Sequence, residues 1–140
     1  MVIVVDTSVF VSACLGTGAA SKVVACCLRG EHEPLMGAAL LAEYEDVLGR
    51  NALFRTCRLS AEERDELLDI FIAHCRWTRI YFGWRPNLAD EADNHLVELA
   101  VAGGAERIVT GNVRDLAGSE LQFPGLRAVT PAHFLKEARR

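Results

Sequence analysis

The sequence has 140 residues, 51% of them hydrophobic and 24% charged, with a formal net charge of −4. We therefore expect residues 1–140 to form one domain, and the composition excludes a disordered or low-complexity chain. The net charge excludes a protein that holds nucleic acid by bulk electrostatics. Because no apolar run approaches the ~20 residues of a membrane span, and no basic segment precedes the first apolar run, we expect a soluble, cytoplasmic protein with no membrane partner.

The five cysteines predict neither a disulfide framework nor a zinc site. Their number is odd, no C-x-x-C motif occurs, and no Cys or His pair has ligand spacing. We expect small buried thiols in a reducing compartment. The arginines crowded into the middle of the chain have two interpretations: a basic rim that contacts phosphates, or a solvated helical face with interspersed acids. We prefer the second interpretation for most of these arginines. The crowded group consists of Arg50, Arg55, Arg58, Arg64, Arg76, Arg79 and Arg85.

Strand-like and helix-like patterns alternate along the chain. Short apolar or β-branched runs predict strands at Val2–Val5 and at residues 34–37, 79–82, 107–110 and 128–129. Amphipathic stripes and end signals predict helices at residues 19–29, 38–49 and 92–102, after a capping box at residues 60–63, and after Thr130-Pro131. Strands separated by helices predict an α/β fold with a mostly parallel sheet.

Polar side chains follow two of the predicted strands. Asp6 comes directly after the first strand, and Asn112 and Asp115 follow the strand at residues 107–110. Ligands gather at the carboxyl ends of parallel strands, so these side chains are candidates for a shared site. The alternative for Asp6 is a helix N-cap, although Thr7 and Ser8 offer hydroxyls for the same task.

Asp93 lies on the apolar face of a predicted helix. At ~100° per residue it shares a stripe with Leu96, Val97 and Ala100, so its carboxylate is expected at the N-terminal end of a core-facing seam. An unpaired charge there is costly, and a divalent cation would compensate it. The alternative places Asp93 as an ordinary acid in the first turn, with Asp90 as the N-cap. We prefer the metal-binding interpretation.

Acidic residues on a third helix leave the choice of a further ligand open. Glu43 and Glu45 border opposite edges of the apolar stripe, and periodicity does not choose between them. Several carboxylates at one point repel each other by about 4 kcal/mol per pair at ~4 Å and an effective dielectric of ~20. A bound cation would offset this repulsion, and a site with only oxygen ligands favours Mg²⁺ or Mn²⁺. These ions support phosphodiester hydrolysis.

Four segments, in order, resemble the motifs of PIN-domain ribonucleases. They are VIVVDTS around Asp6, LLAEYEDVL around Glu43, DEADNHLVELA around Asp93, and IVTGNVRDL around Asn112. The closing Thr130-Pro-Ala-His-Phe-Leu resembles the end of the subgroup of toxins from type II toxin–antitoxin pairs. The similarity covers essentially the whole chain.

This resemblance implies a three-layer α/β/α domain that cuts RNA with Mg²⁺ or Mn²⁺. By position, Asp6 and Asp93 would be the central metal ligands, Glu43 rather than Glu45 would complete the acidic pocket, and Ser8 would lie near the metal water and the substrate. Asn112 stands where many relatives have Asp, which lowers the negative charge by one; whether Asn112 or Asp115 completes the metal site stays open. Toxins of the family are often homodimers blocked by a small antitoxin that reaches into the site.

The preferred hypothesis is therefore a metal-dependent endoribonuclease, the toxin of a toxin–antitoxin pair, with Asp6, Glu43 and Asp93 as catalytic residues. The alternative is a catalytically weak or inactive PIN-like module that binds RNA or a protein partner, which Asn112 motivates. A third option, a magnesium-dependent phosphotransfer domain, fits poorly because Asp6-Thr7-Ser8 lacks a second acid two residues after Asp6.

Overall fold

The structure, a computed structural model, describes residues 1–16, 18–80, 94–116, 123 and 125–139. Several predictions fall wholly or partly outside these ranges. They concern Arg85, the alternative N-cap Asp90, Asp93 with the start of its helix at residue 92, and the second half of the strand at residues 79–82.

A five-stranded parallel sheet forms the centre of the fold, in the order β3-β2-β1-β4-β5. In the central pairing, Val5 of β1 lies opposite Val109 of β4. Most of these strands are short apolar runs because parallel strands are covered on both faces. Their bounds are β1 Val2–Val5, β2 Glu33–Met36, β3 Arg76–Trp77, β4 Arg107–Val109 and β5 Arg127–Val129.

Helices connect the strands and cover the sheet as the outer layers of an α/β/α fold. The chain moves from β1 outward to β3 and then crosses back to β4, so right-handed crossovers put the first four helices on one face and the next two on the other. Strand order therefore reverses between β1 and β4, and ligand sites form at such a point. Among the described residues the α-helices are α1 Thr7–Leu15, α2 Ala19–Leu28, α3 Ala38–Leu48, α4 Ala61–Ala73, α5 Asn94–Gly103, α6 Val113–Leu116 and α7 Pro131–Ala138, and a 3-10 helix spans Asn51–Phe54.

The core packs aromatic rings from three helices beneath the sheet. Phe10, Tyr44 and Phe71 are at most 1% exposed, and their ring centroids lie 5.3 to 6.2 Å apart. The five cysteines are free. Cys14 and Cys27 are buried in this core as predicted, whereas Cys26, Cys57 and Cys75 are only partly buried. Burial raises the pKa of Cys27 to about 12, so its thiol stays neutral and packs as an apolar group.

The capping residues and glycines that the sequence indicates at helix ends lie there in the structure, as predicted. Ser60 and Glu63 form both hydrogen bonds of a capping box at the start of α4. Thr130 Oγ1 accepts a hydrogen bond from the backbone N–H of His133 and so caps α7. Gly30 and Gly104 follow α2 and α5 with φ of 79° and 71°, a conformation that glycine adopts without a Cβ penalty.

Two predictions from the sequence are corrected. The strand expected at residues 79–82 begins earlier: β3 is Arg76–Trp77, and Arg79 and Ile80 lie beyond it. This strand is short and pairs with β2 through backbone hydrogen bonds, so the apolar run after it was a misleading signal. Arg64 is not on a solvated face. It is 4% exposed, lies 4.2 Å from the Phe54 ring centroid, and donates to Leu59 O and Asn51 Oδ1.

Within the described ranges, no single helix is long and apolar enough to cross a membrane. The bent pair of α1 and α2 meets that test only by its joint length and composition.

Candidate active site

Asp6 occupies the N-cap position of α1 but does not act as its cap. The residue follows β1 with an extended backbone (φ −65°, ψ 150°), and its side chain makes no capping hydrogen bond. Asp6 is 5% exposed, and its carboxylate forms no ion pair with any described residue. The capping alternative considered for Asp6 is therefore wrong, and its buried charge needs another explanation.

Two hydroxyl groups hold the Asp6 carboxylate in place. Thr110 Oγ1 donates to Asp6 Oδ2 over 2.7 Å, and Ser8 Oγ donates to the same oxygen over 3.2 Å. The strand register explains the first contact, because Val5 and Val109 are paired and the next residues are Asp6 and Thr110. Both bonds fall on Oδ2, and no described residue donates to Oδ1. The carboxylate is thus fixed in orientation with one oxygen left for a ligand.

Glu43 reaches the same pocket from α3. The adjacent Tyr44 is fully buried, and its hydroxyl donates to Val5 O over 2.6 Å, which ties α3 to the end of β1. Burial raises the pKa of Tyr44 well above its ordinary value, so the phenol remains a donor. Glu43 is partly buried and lines the pocket with Asp6, whereas Glu45 is exposed. The structure thus separates two acids that helical periodicity could not.

His95 orients the Glu43 carboxylate. His95 Nε2 donates to Glu43 Oε2 over 2.8 Å, and the His95 side chain is 18% exposed. Its other nitrogen, Nδ1, is buried and has no partner among the described residues. The hydrogen bond leaves Glu43 Oε1 available to water or to a ligand. The two residues are 52 positions apart, so no local sequence pattern could reveal the pair.

The pocket that joins these groups has a volume of about 340 Å³ and offers oxygen donors. Thr7 Oγ1 is buried there without a hydrogen-bond partner among the described residues. Carboxylate, hydroxyl and amide oxygens are the donor set that Mg²⁺ and Mn²⁺ prefer, so the residues present fit such an ion. The lining residues are Asp6, Thr7, Ser8, Val11, Glu43, Val47 and Asn112.

The described residues alone do not complete a carboxylate cluster. Within residues 1–16, 18–80, 94–116, 123 and 125–139, no three His, Cys, Asp or Glu side chains gather around one point. Asp93 lies outside these ranges, immediately before α5, which begins at Asn94. Asn112 lines the pocket, and its backbone N–H donates to Thr110 Oγ1 over 3.0 Å. Asp115 lies in α6, and its side chain falls outside the described part of the structure.

Comparisons with known proteins identify the family. The family model described as PIN domain matches residues 2–114. The chain belongs to the PIN-domain family. A search of curated proteins finds no match. Among solved structures, VapBC2 from Rickettsia felis, bound to a DNA fragment from their promoter, is similar in fold, with a TM-score of 0.59 at 14% sequence identity. The match covers 93% of this chain and 98% of that one.

The PIN-domain assignment confirms the predicted fold class. PIN domains are generally nucleases and typically use divalent metal ions, which agrees with the oxygen-lined pocket. Sequence reasoning brought Asp6, Ser8, Glu43 and Asn112 to one pocket, but it gave no role to Thr110 or His95. Thr110 offered a signal that sequence reasoning could have used, because it is the polar residue that ends the apolar run at residues 107–110.

Proposed function

We propose that this PIN domain is a metal-dependent endoribonuclease that hydrolyses RNA phosphodiester bonds with Mg²⁺ or Mn²⁺. The observation that carries the proposal is the buried Asp6 carboxylate, which caps no helix, has no cationic partner among the described residues, and shares a pocket with Glu43 and Asn112. Keeping such a charge in a fold is costly unless a cation binds it.

In the proposed mechanism, Asp6 and Asp93 would hold the ion together with either Asn112 or Asp115. A bound ion would make water a better nucleophile at neutral pH and would stabilise charge on the leaving oxygen. Glu43, fixed by His95 through Oε2, presents Oε1 to orient the attacking water and to accept its proton. Ser8 donates a hydrogen bond to Asp6 and lines the pocket, where its hydroxyl would contact the substrate.

We further propose that the protein acts in the cytoplasm as the toxin of a toxin–antitoxin pair, as a homodimer inhibited by a small antitoxin. The closing segment from Thr130, with its resemblance to toxins of the family, supports this role, and so does the likeness in fold to VapBC2. A short neighbouring reading frame with a DNA-binding pattern is the expected genomic companion.

RNA hydrolysis tests the nuclease proposal. Purified protein should degrade RNA in the presence of Mg²⁺ or Mn²⁺ and stop when EDTA removes the metal. Asp6→Asn and Asp93→Asn should each lower the rate by at least about 100-fold, since loss of a ligand charge weakens both metal binding and stabilisation of the leaving oxygen. Equal rates in the wild type and both variants would identify the activity as a contaminant and reject the proposal.

A second candidate is a PIN-like module with weak or no catalysis that binds RNA or a protein partner. Asn112 favours it, because an amide in the pocket supplies one negative charge fewer than the aspartate of many relatives. The two candidates differ in their need for metal: a module without catalysis keeps its function when EDTA is present.

A further inference from the structure

A groove at the start of α3 carries an exposed aromatic ring and an arginine that has no partner among the described residues. It has a volume of about 670 Å³ and lies between the end of β3 and the first turn of α3. Trp77 is 51% exposed and Ile80 36% exposed, although both are large apolar side chains. Arg79 is exposed and forms no hydrogen bond or ion pair with any described residue.

The neighbouring Arg76 differs from Arg79 in its contacts. Arg76 Nε lies 3.0 Å from Glu33 Oε1, and the guanidinium also donates to Gly103 O. Arg76 therefore links β3 to β2 and to α5. Arg79 makes no such contact in the described structure, so its charge is available for a ligand on the surface. A large exposed ring next to a guanidinium that pairs with no described residue is a combination that nucleotides fit, through stacking and a phosphate contact.

The groove and the acidic pocket both lie along one face of α3. Ala39 lines the groove, while Glu43 and Val47 line the acidic pocket. These three residues are spaced by four and so lie on the same helical face. One turn, about 6 Å along the helix axis, separates Ala39 from Glu43.

The groove and the acidic pocket both lie at the carboxyl ends of strands in the parallel sheet. Trp77 pairs in parallel with Met36, and the backbone N–H of Thr78 donates to Met36 O over 2.8 Å, so the groove lies at the carboxyl end of β3. Asp6 lies at the carboxyl end of β1 in the same parallel sheet. A strand of RNA that enters the acidic pocket can thus extend over Trp77 without crossing the sheet.

We propose that this groove is a binding subsite for single-stranded RNA, in which a base next to the cleaved phosphodiester stacks on Trp77 and a phosphate contacts Arg79. The inference rests on the proposed nuclease function. The overall charge of −4 strengthens it, because a protein that does not attract RNA through its net charge must hold the substrate by local contacts. Stacking on Trp77 accepts any base, and it requires that the base be unpaired.

Binding of RNA in EDTA tests the subsite without cleavage. The probe is a fluorescein-labelled, single-stranded RNA of mixed sequence and about 12 nucleotides, long enough to cover one such binding site. Trp77→Ala should raise the Kd by about 5- to 150-fold, the effect of losing one base-stacking contact. Trp77→Phe keeps a ring and should restore most of the affinity. Ile70→Ala, which shortens an exposed apolar side chain on α4, is the control and should bind as the wild type does.

Salt dependence tests the arginine separately. Arg79→Ala should reduce the slope of log Kd against log salt by about 0.7, the value for one phosphate contact on a single strand. The matched control is Arg127→Ala, because Arg127 is also exposed but begins β5 at the opposite end and opposite edge of the sheet. Its slope should equal that of the wild type.

The outcomes separate this inference from the proposed function. If the wild type cuts RNA, Asp6→Asn does not, and Trp77→Ala and Arg79→Ala keep the wild-type Kd and KM, the nuclease stands and the subsite is rejected. If the wild type neither cuts nor binds RNA, both are rejected. If Trp77→Ala keeps its affinity for RNA but dissociates a dimer in sedimentation, the groove is a protein interface, and the subsite is again rejected.

Discussion

The role of Asp6 is ambiguous in the sequence and becomes clear only from its contacts in the structure. An aspartate between a strand and a helix is a common N-cap, and the sequence alone could not exclude that role. The structure does, because Ser8 and Thr110 donate to the carboxylate while α1 begins without a side-chain cap. A buried carboxylate that helix formation does not need is a stronger sign of ligand binding than its position after a strand.

Glu43 and Glu45 provide a matched pair for testing the pocket. Glu43→Gln should lower RNA hydrolysis by at least about tenfold, because an amide no longer accepts a proton from water. Glu45→Gln makes the same chemical change on the exposed side of α3 and should keep the wild-type rate. The measurement is kcat for both variants at saturating metal. Equal losses in the two variants would contradict the role of Glu43.

The sequence predicts those site residues that directly follow a strand, because the carboxyl ends of parallel strands meet at one edge of the sheet. Asp6 and Asn112 were expected at the carboxyl edge of a parallel sheet, and they line one pocket. Helical periodicity left Glu43 and Glu45 equivalent, because which flank faces the pocket depends on how Tyr44 packs against Val5. The His95 contact with Glu43 depends on the tertiary packing of two helices, which no local pattern contains.

At the scale of elements, the start of α4 depends on reciprocal capping. Ser60 Oγ accepts from Glu63 N over 3.1 Å, and Glu63 Oε1 accepts from Ser60 N over 2.9 Å. Ser60→Ala should lower the free energy of unfolding by about 1 kcal/mol, whereas Ser60→Asp retains an acceptor and should cost only a fraction of that. Urea denaturation measures both. A Ser60→Ala midpoint equal to that of the wild type would show that the cap contributes nothing.

Helix α7 is joined to β4 by a carboxylate with a shifted pKa. Arg107 Nε donates to Glu137 Oε2 over 2.8 Å, and this hydrogen bond lowers the pKa of Glu137 below its ordinary value of 4.5. A lowered pKa in the folded state means that this contribution to stability is complete above pH 4.5 and is lost as the pH falls through the folded value.

Acid titration of stability tests that contact. Thermal melts of the wild type and Glu137→Gln should differ at pH 7 and converge as the pH falls below 4.5, because protonated Glu137 loses its charge as the variant has done. Glu66→Gln, a change at an exposed position of α4, is the control. A difference between wild type and Glu137→Gln that stays constant down to pH 3 would contradict the ion pair.

Element boundaries were predicted well where a local signal ends the element and poorly where pairing alone defines it. Glycine and capping residues placed α2, α4 and α7 within a residue or two of their observed bounds. Strand β3 was misplaced because its two residues, Arg76 and Trp77, form no apolar run. They are in the sheet because Leu35 and Met36 pair with them.

At the scale of the molecule, the alternation of strands and helices sufficed to predict an α/β fold with a parallel sheet. Local patterns contained no information on strand order, because the crossover from β3 back to β4 depends on which helical faces pack together. That crossover creates the reversal between β1 and β4 at which Asp6 and Thr110 meet. The site therefore depends on the order of the strands as well as on the residues that line it.

Close packing of α5 on the sheet can be tested at Gly103. A Cβ at this position would overlap Leu35 Cδ1 and lie 3.1 Å from Cδ2, and Leu35 is 1% exposed. Gly103→Ala gains about 0.5–1 kcal/mol of helix propensity, but displacing a buried leucine costs about 1–3 kcal/mol, so a net loss is expected. Gly125→Ala, where a Cβ meets nothing within 4 Å, is the control. Stability of Gly103→Ala at or above that of the wild type would refute this packing.

Titration with Mn²⁺ in a calorimeter tests the central claim most directly, that carboxylates distant in sequence share one divalent ion. The wild type should bind Mn²⁺, and Asp6→Asn and Asp93→Asn should each weaken binding by at least about tenfold, because each removes a charged oxygen ligand. Glu45→Gln should leave the affinity unchanged. Wild-type protein that binds no Mn²⁺ up to millimolar concentrations, or an Asp93→Asn variant with wild-type affinity, would contradict the shared site.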